Sequence, residues 1–234
     1  MILDDYFLPI DSTIGFIKGD IHVVVDFFSS WHKKIYEPSG FSVVTKNIDG
    51  TLFDVMSKLL PLTIPVVRRH LFIPTRGGWV AYFNNSKLGT DPSCLSYLSK
   101  QLKTRVIRAD YLPETIKRLN NEPHPHGGTA FFEVYDPSSN EFNSCLRYIR
   151  LINEDGKWSF ETGGKPFSFE KQAMYKAKNI KDRFGLSSLV DYLMNLGIDV
   201  LNEDFYLSEK SMLEDRIGPF PASMREFSLE EALS

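Results

Sequence analysis

The sequence predicts an α+β fold, with a mainly antiparallel sheet of about five to seven strands flanked by helices and a helical pair near the C-terminus. Three observations carry this. β-rich runs crowd the middle of the chain, short glycine-bearing turns join them, and stripes of apolar residues at helical spacing lie before and after them. Strands joined as hairpins and segregated from helices argue against a doubly wound parallel sheet.

Element by element, the first helical signal is Asp20 to Glu37, where Ile21, Val24, Phe28 and Ile35 fall near one face despite the β-branched run Val23 to Val25. Residues 66–74 and 78–85 are β-rich and separated by Thr75-Arg76-Gly77-Gly78, which reads as a hairpin. The stretch 90–103 is a helix with Thr90 or Asp91 as cap, Pro92 in the first turn, and Leu95, Leu98 and Leu102 as its packing stripe. Further strands follow at 129–136, 145–153 and 157–163, the last two joined across Glu154-Asp155-Gly156. A helix is expected over 169–184, where Phe169, Ala173, Ala177, Ile180 and Phe184 repeat at intervals of four, four, three and four. A second helix over 186–198, closed by Gly197, completes the pair. The tail carries a capping box, Ser228 with Glu231, too short to hold a helix unless it docks.

The chain of 234 residues is expected to form a single α+β domain over 1–234, and a body of this size buries roughly 70% of its unfolded surface. The one boundary candidate is 112–128, rich in proline, asparagine and glycine, which is read as a long surface loop. No basic leader or long uncharged apolar run is present, and two cysteines are too few for a disulfide scaffold, so a cytoplasmic location is expected. The net charge of −3 offers no general attraction to phosphate backbones, so neither nucleic acid nor a membrane is expected as partner.

Candidate chemistry is sparse. His124 and His126, at i and i+2 beside Pro123 and Pro125, share a side of an extended segment. Glu133 is the nearest carboxyl group downstream, but it follows six intervening residues and no histidine lies beyond 126, so no metal or cofactor is expected there. Cys94 falls in the first turn of the 90–103 helix, where free amides favour a thiolate, yet its leucine neighbours suit a small buried hydrophobe. The loops match neither phosphate-binding fingerprint, and no nucleophile elbow or H-E-x-x-H helix occurs.

Two functional expectations follow. The first is a non-catalytic binding protein with a protein partner, similar in broad character to immunity proteins that neutralise bacterial toxins, whose oligomeric state the sequence does not fix. Its contact residues would be the hairpin aromatics Trp79, Tyr82, Trp158 and Phe160, together with Lys176 and Arg183 of the basic segment after 168. The alternative is a hydrolase or transferase that uses Cys94 or Glu133 with a histidine from the 124–126 stretch.

Overall fold

Period-two burial along the strands divides the molecule into layers. The computed structural model describes residues 3, 7–119, 122–140 and 144–233, with the side chains of 115–119, 122–126 and 233 outside that description. Thirteen strands are present among the described residues: β1 (Thr13–Lys18), β2 (Ser42–Ile48), β3 (Leu62–Ile64), β4 (Arg69–Pro74), β5 (Trp79–Asn84), β6 (Val106–Leu112), β7 (Thr115–Leu119), β8 (Glu122–His126), β9 (Thr129–Tyr135), β10 (Cys145–Glu154), β11 (Lys157–Gly164), β12 (Ser211–Ile217) and β13 (Arg225–Phe227). Nine of them form one sheet in the order β11-β10-β9-β6-β1-β5-β4-β12-β2, with every neighbouring pair antiparallel. The expected α+β class with a large antiparallel sheet is thus present, but with nine strands in place of five to seven. The undercount has a physical cause. Strands such as β12 carry charged residues that the fold buries, so their apolar periodicity is broken in the sequence.

Five α-helices accompany the sheet among the described residues: α1 (Ile21–Tyr36), α2 (Leu52–Ser57), α3 (Leu95–Leu102), α4 (Leu186–Asn195) and α5 (Leu229–Leu233). Side chains of one sheet face, among them Ile14, Phe16, Leu71, Ile73, Phe83, Phe132 and Leu213, join α2 and α4 in the larger core. The opposite face supplies Ile17, Phe72, Val80, Tyr82 and Met212, which pack against α1 and α3 in a second core. Asp20 starts α1 by accepting from the amides of His22 at 2.8 Å and Val23 at 3.4 Å. Gly15 lets α3 settle on β1, because a Cβ there would lie 2.7 Å from Leu95 Cδ2.

Both expected hairpins form. Asp155 (φ 50°) and Gly156 (φ 85°) supply the left-handed pair that turns β10 into β11, and Gly78 (φ 68°) closes the β4–β5 turn. The tail capping box is made, with Ser228 N donating to Glu231 Oε2 at 2.8 Å, and Leu229 and Ala232 pack on the larger core. Tertiary packing therefore holds a helix too short to stand alone.

Two expectations are corrected. The 169–184 segment is not an α-helix but a looped path containing 3-10 turns at Met174–Lys176 and Ile180–Arg183, so the C-terminal helical pair reduces to α4 alone. Tertiary bonds override its helical spacing: Glu170 is taken by Arg147 at 2.6 and 2.9 Å, and the Lys171 amide donates to the Tyr192 hydroxyl at 2.7 Å. Phe169 and Phe184 still reach the core, by this looped route. The stretch 112–128, read as a surface loop, contains the β7–β8 hairpin as a separate two-stranded sheet. In so small a sheet each strand has an unpaired side, which accommodates Pro123 and Pro125 in β8.

Candidate functional site

The α1 side of the sheet holds a group of polar side chains that the chain keeps far apart in sequence. From α1, Phe28, His32 and Tyr36 recur every four residues and face the sheet. Beneath them His70 of β4 stands directly opposite Glu214 of β12 and Asn84 of β5 in the strand registers. Tyr82, two residues before Asn84, points to the same face. Arg216 extends the polar row along β12.

Bonding is specific. His32 Nδ1 lies 2.5 Å from Glu214 Oε1, and His70 Nδ1 lies 2.9 Å from the Tyr82 hydroxyl. Asn84 Nδ2 donates to that hydroxyl at 3.0 Å, and Asn84 Oδ1 in turn accepts from the Asp91 and Ser86 amides. The rings of His32 and His70 are 4.9 Å apart, with Phe28 at 4.1 Å from the first and 4.9 Å from the second. Arg216 lays its guanidinium 3.9 Å over the Tyr36 ring and donates to the Val67 carbonyl. Glu214 is 0% exposed, its Oε1 meets His32, and its Oε2 has no hydrogen-bond partner.

All of this group except Glu214 lines a cavity of about 380 Å³ between α1, the Pro65–Val67 segment and the residues that lead into α3. Burial, reinforced by the charges of His32 and Arg216, holds the His70 imidazole well below its ordinary pKa and so keeps it neutral. Burial likewise raises the Tyr82 hydroxyl well above the ordinary phenol range. The pocket lining offers neutral imidazole, phenol hydroxyl, guanidinium and, from Asp91, carboxyl groups, a combination suited to ligand binding, metal ligation or proton transfer.

The expected nucleophiles fare differently. Cys94 lines the same cavity, but as the residue just before α3, with Asp91 Oδ1 capping the Ser93 amide at 2.9 Å. Burial pushes its thiol up to about 12, against the opposing effect of the Tyr82 hydroxyl and with help from Asp91. Desolvation outweighs any activation by the helix terminus. Glu133, on β9, is fully buried in a separate network: Arg150 Nε is 2.5 Å from Oε1, while the Tyr135 hydroxyl at 2.6 Å and Arg108 Nη1 at 3.3 Å share Oε2. Arg108 is also bonded to Asp110, whose carboxyl burial raises despite the guanidinium beside it. A larger cavity, about 590 Å³, adjoins Arg108, Asp110 and Phe131. Its charged groups are already matched to one another, whereas Glu214, bonded to the His32 that lines the smaller cavity, carries an unmatched carboxyl oxygen. His124 and His126 lie on β8 opposite Lys117 and Thr115, with their side chains outside the described residues.

The expected contact residues divide into three groups. Trp79 is 4% exposed and packs in the larger core, with its indole N–H donating to the Leu196 carbonyl at 3.3 Å, so it is unavailable as a surface anchor. Tyr82 is equally buried, for alternation turns it inward onto His70. Trp158 and Phe160 are half-buried on β11, an edge of the nine-stranded sheet, beneath Lys181 at 5.3 Å and Arg183 at 5.7 Å. Arg183 is fixed by the Ala177 carbonyl at 3.0 Å, and Lys176 is exposed nearby on the 3-10 turn whose Tyr175 ring is 5.5 Å from Phe160.

His32, His70 and Glu214 were not recognised as a site from the sequence. His32 and Glu214 are 182 positions apart and no local spacing joins them. The signal that was present is alternation: His70, Phe72 and Tyr82, Asn84 share one face of a hairpin that sequence reasoning had located. Comparisons with family models, curated proteins and solved structures found no match.

Proposed function

We propose that this chain is a non-catalytic binding protein of the cytoplasm that engages a protein partner, in the manner of an immunity-type protein that masks a toxin. The observation that carries this reading is the disarming of both nucleophile candidates: the Cys94 thiol is pushed up to about 12 and Glu133 is enclosed by Arg108, Arg150 and Tyr135. That neither Cys94 nor Cys145 is in a disulfide agrees with a reducing compartment. No helix of the described residues is long and apolar enough to cross a membrane.

The contact surface is assigned to the β11 edge. There Trp158 and Phe160 lie under Lys181 and Arg183, with Lys176 exposed beside them, and the strand is the last in the described sheet, with no strand on its outer side. Such a surface suits an acidic partner, with charge setting the encounter rate and the aromatics the residence time. Cross-linking in the source cell tests it: cross-links to a protein partner should map to β11 and vanish in the Lys176→Glu/Arg183→Glu chain. Cross-links elsewhere, or unchanged in that variant, would contradict the assignment.

A second reading, a hydrolase or transferase, is favoured by the placement of Cys94 in one cavity with His70, Tyr82 and Asn84. It requires a ligand that lowers the thiol pKa on binding. Saturable loss of Cys94 alkylation and turnover that Cys94→Ser abolishes would support it.

A further inference from the structure

We propose that His32, His70 and Glu214 form a binding site for a divalent first-row transition ion, zinc foremost. One donor atom from each of the three lies within 4.8 Å of the others, and all three residues are buried. Two imidazole nitrogens and a carboxyl oxygen are a donor set that zinc, iron, manganese and cobalt accept with at least one further position open. That open position would face the cavity of about 380 Å³.

An independent observation points to a ligand. Glu214 is 0% exposed, yet its Oε2 has no hydrogen-bond partner. An unmatched oxygen on a buried carboxyl group is costly, and a cation supplies what is missing. The surroundings are also those of a ligating histidine. His70 Nδ1 is held by Tyr82, itself held by Asn84, which leaves Nε2 as the nitrogen free to ligate.

Binding balances as a proton exchange. The ion takes the place of the proton that His32 Nδ1 and Glu214 Oε1 share across 2.5 Å, held by both carboxylate oxygens so that Oε2 is matched as well, and that proton goes to solvent. Bonds of roughly 2.0–2.2 Å set neighbouring ligand atoms about 3.3 Å apart, so these two side chains part by less than an ångström or so as the ion enters. Arg216 and Asp91 both line the cavity; the first opposes the added charge and the second offsets it. The site does not depend on the β11 contact surface, and either assignment stands if the other fails. It also differs from the His124–His126 pair, which is the competing place for a metal in this chain.

The test uses the full chain freed of metal with a chelator and titrated with cobalt(II) and then zinc(II). Equimolar binding is expected, with a visible cobalt band, displacement of cobalt by zinc, a melting temperature raised by several degrees, and paramagnetically shifted ring protons of His32 and His70. Glu214→Gln should abolish the band, and Tyr82→Phe, which only frees the His70 ring, should weaken affinity about tenfold. His124→Ala/His126→Ala should bind as the parent does. Circular dichroism establishes that each variant is folded. Absence of equimolar binding by the parent chain, undiminished binding by Glu214→Gln, or loss of binding in the His124/His126 variant would overturn the proposal.

Discussion

Burial disfavours whichever form of a side chain is charged, and two residues of the α1 cavity show opposite consequences of that rule. The Cys94 thiol is held up to about 12, so it reacts as thiol rather than thiolate at neutral pH. At pH 8 the folded chain should alkylate Cys94 on the order of a thousandfold more slowly than the same residue in denaturant, as measured by peptide mass spectrometry. Equal rates would mean that the thiol is not desolvated. The His70 imidazole moves the other way, held neutral well below 6.5. Below pH 6.5 the unfolded chain takes up a proton at this residue and the folded chain does not, so its contribution to stability is present above pH 6.5 and lost as pH falls beneath it. Urea unfolding should show stability declining by up to about 1.4 kcal/mol per pH unit from this group. His70→Gln should flatten the pH profile between 6.5 and 5; an unchanged slope would exclude His70 as its source. Neither shift can be read from neighbours in the chain, since Cys94 sits among leucines as a packing residue would, while the groups that surround His70 come from α1, β5 and β12.

Among the elements, β10 and the segment after it are tied by a buried ion pair. Arg147 and Glu170 meet at 2.6 Å with side chains 2% and 0% exposed, and Arg147 also donates to the Gly163 carbonyl at 2.9 Å. Arg147→Met leaves Glu170 buried without its counter-charge, with only the Phe167 amide and the Tyr175 hydroxyl as donors, and should cost about 3–5 kcal/mol in chemical denaturation. Adding Glu170→Leu should recover most of it; a double variant no more stable than the single one would show that the charge was not the cause. The same pair explains why 169–184 departs from its helical spacing, because periodicity records which residues reach the core and not by what path. Hairpins β4–β5 and β10–β11 and helices α1, α3 and α4 were legible, since their turns and caps are local. Strand β12 was not, because Glu214 and Arg216 interrupt it in sequence and are buried by α1 in space. At Gly15 the contact between α3 and β1 leaves no room, and Gly15→Val should destabilise by about 1–3 kcal/mol, with a smaller loss indicating that Leu95 gives way.

At the scale of the molecule, one sheet separates two cores and borders the two regions proposed above. The cavity under α1 gathers polar groups from four elements, and its volume of about 380 Å³ is that of a small-ligand site, not of a protein interface. The β11 edge offers half-buried aromatics beneath cations, with no strand of the described sheet on its outer side, and is open to a protein partner. Overall charge is nearly balanced at −3, so the proposed attraction is local, from Lys176 and Arg183, since Lys181 is paired with Glu114 at 2.6 Å. Association through this edge should therefore slow as salt rises above 0.15 M, where charges are screened beyond about 8 Å. The most direct test of the binding account is quantitative cross-linking of the chain at its native level in the source cell, compared with Lys176→Glu/Arg183→Glu and with Cys94→Ser. The account predicts a partner cross-linked along β11 that is lost in the charge-reversed chain and retained in Cys94→Ser, both chains being folded. Retention of every cross-link in the charge-reversed chain, with cellular function lost only in Cys94→Ser, would contradict it.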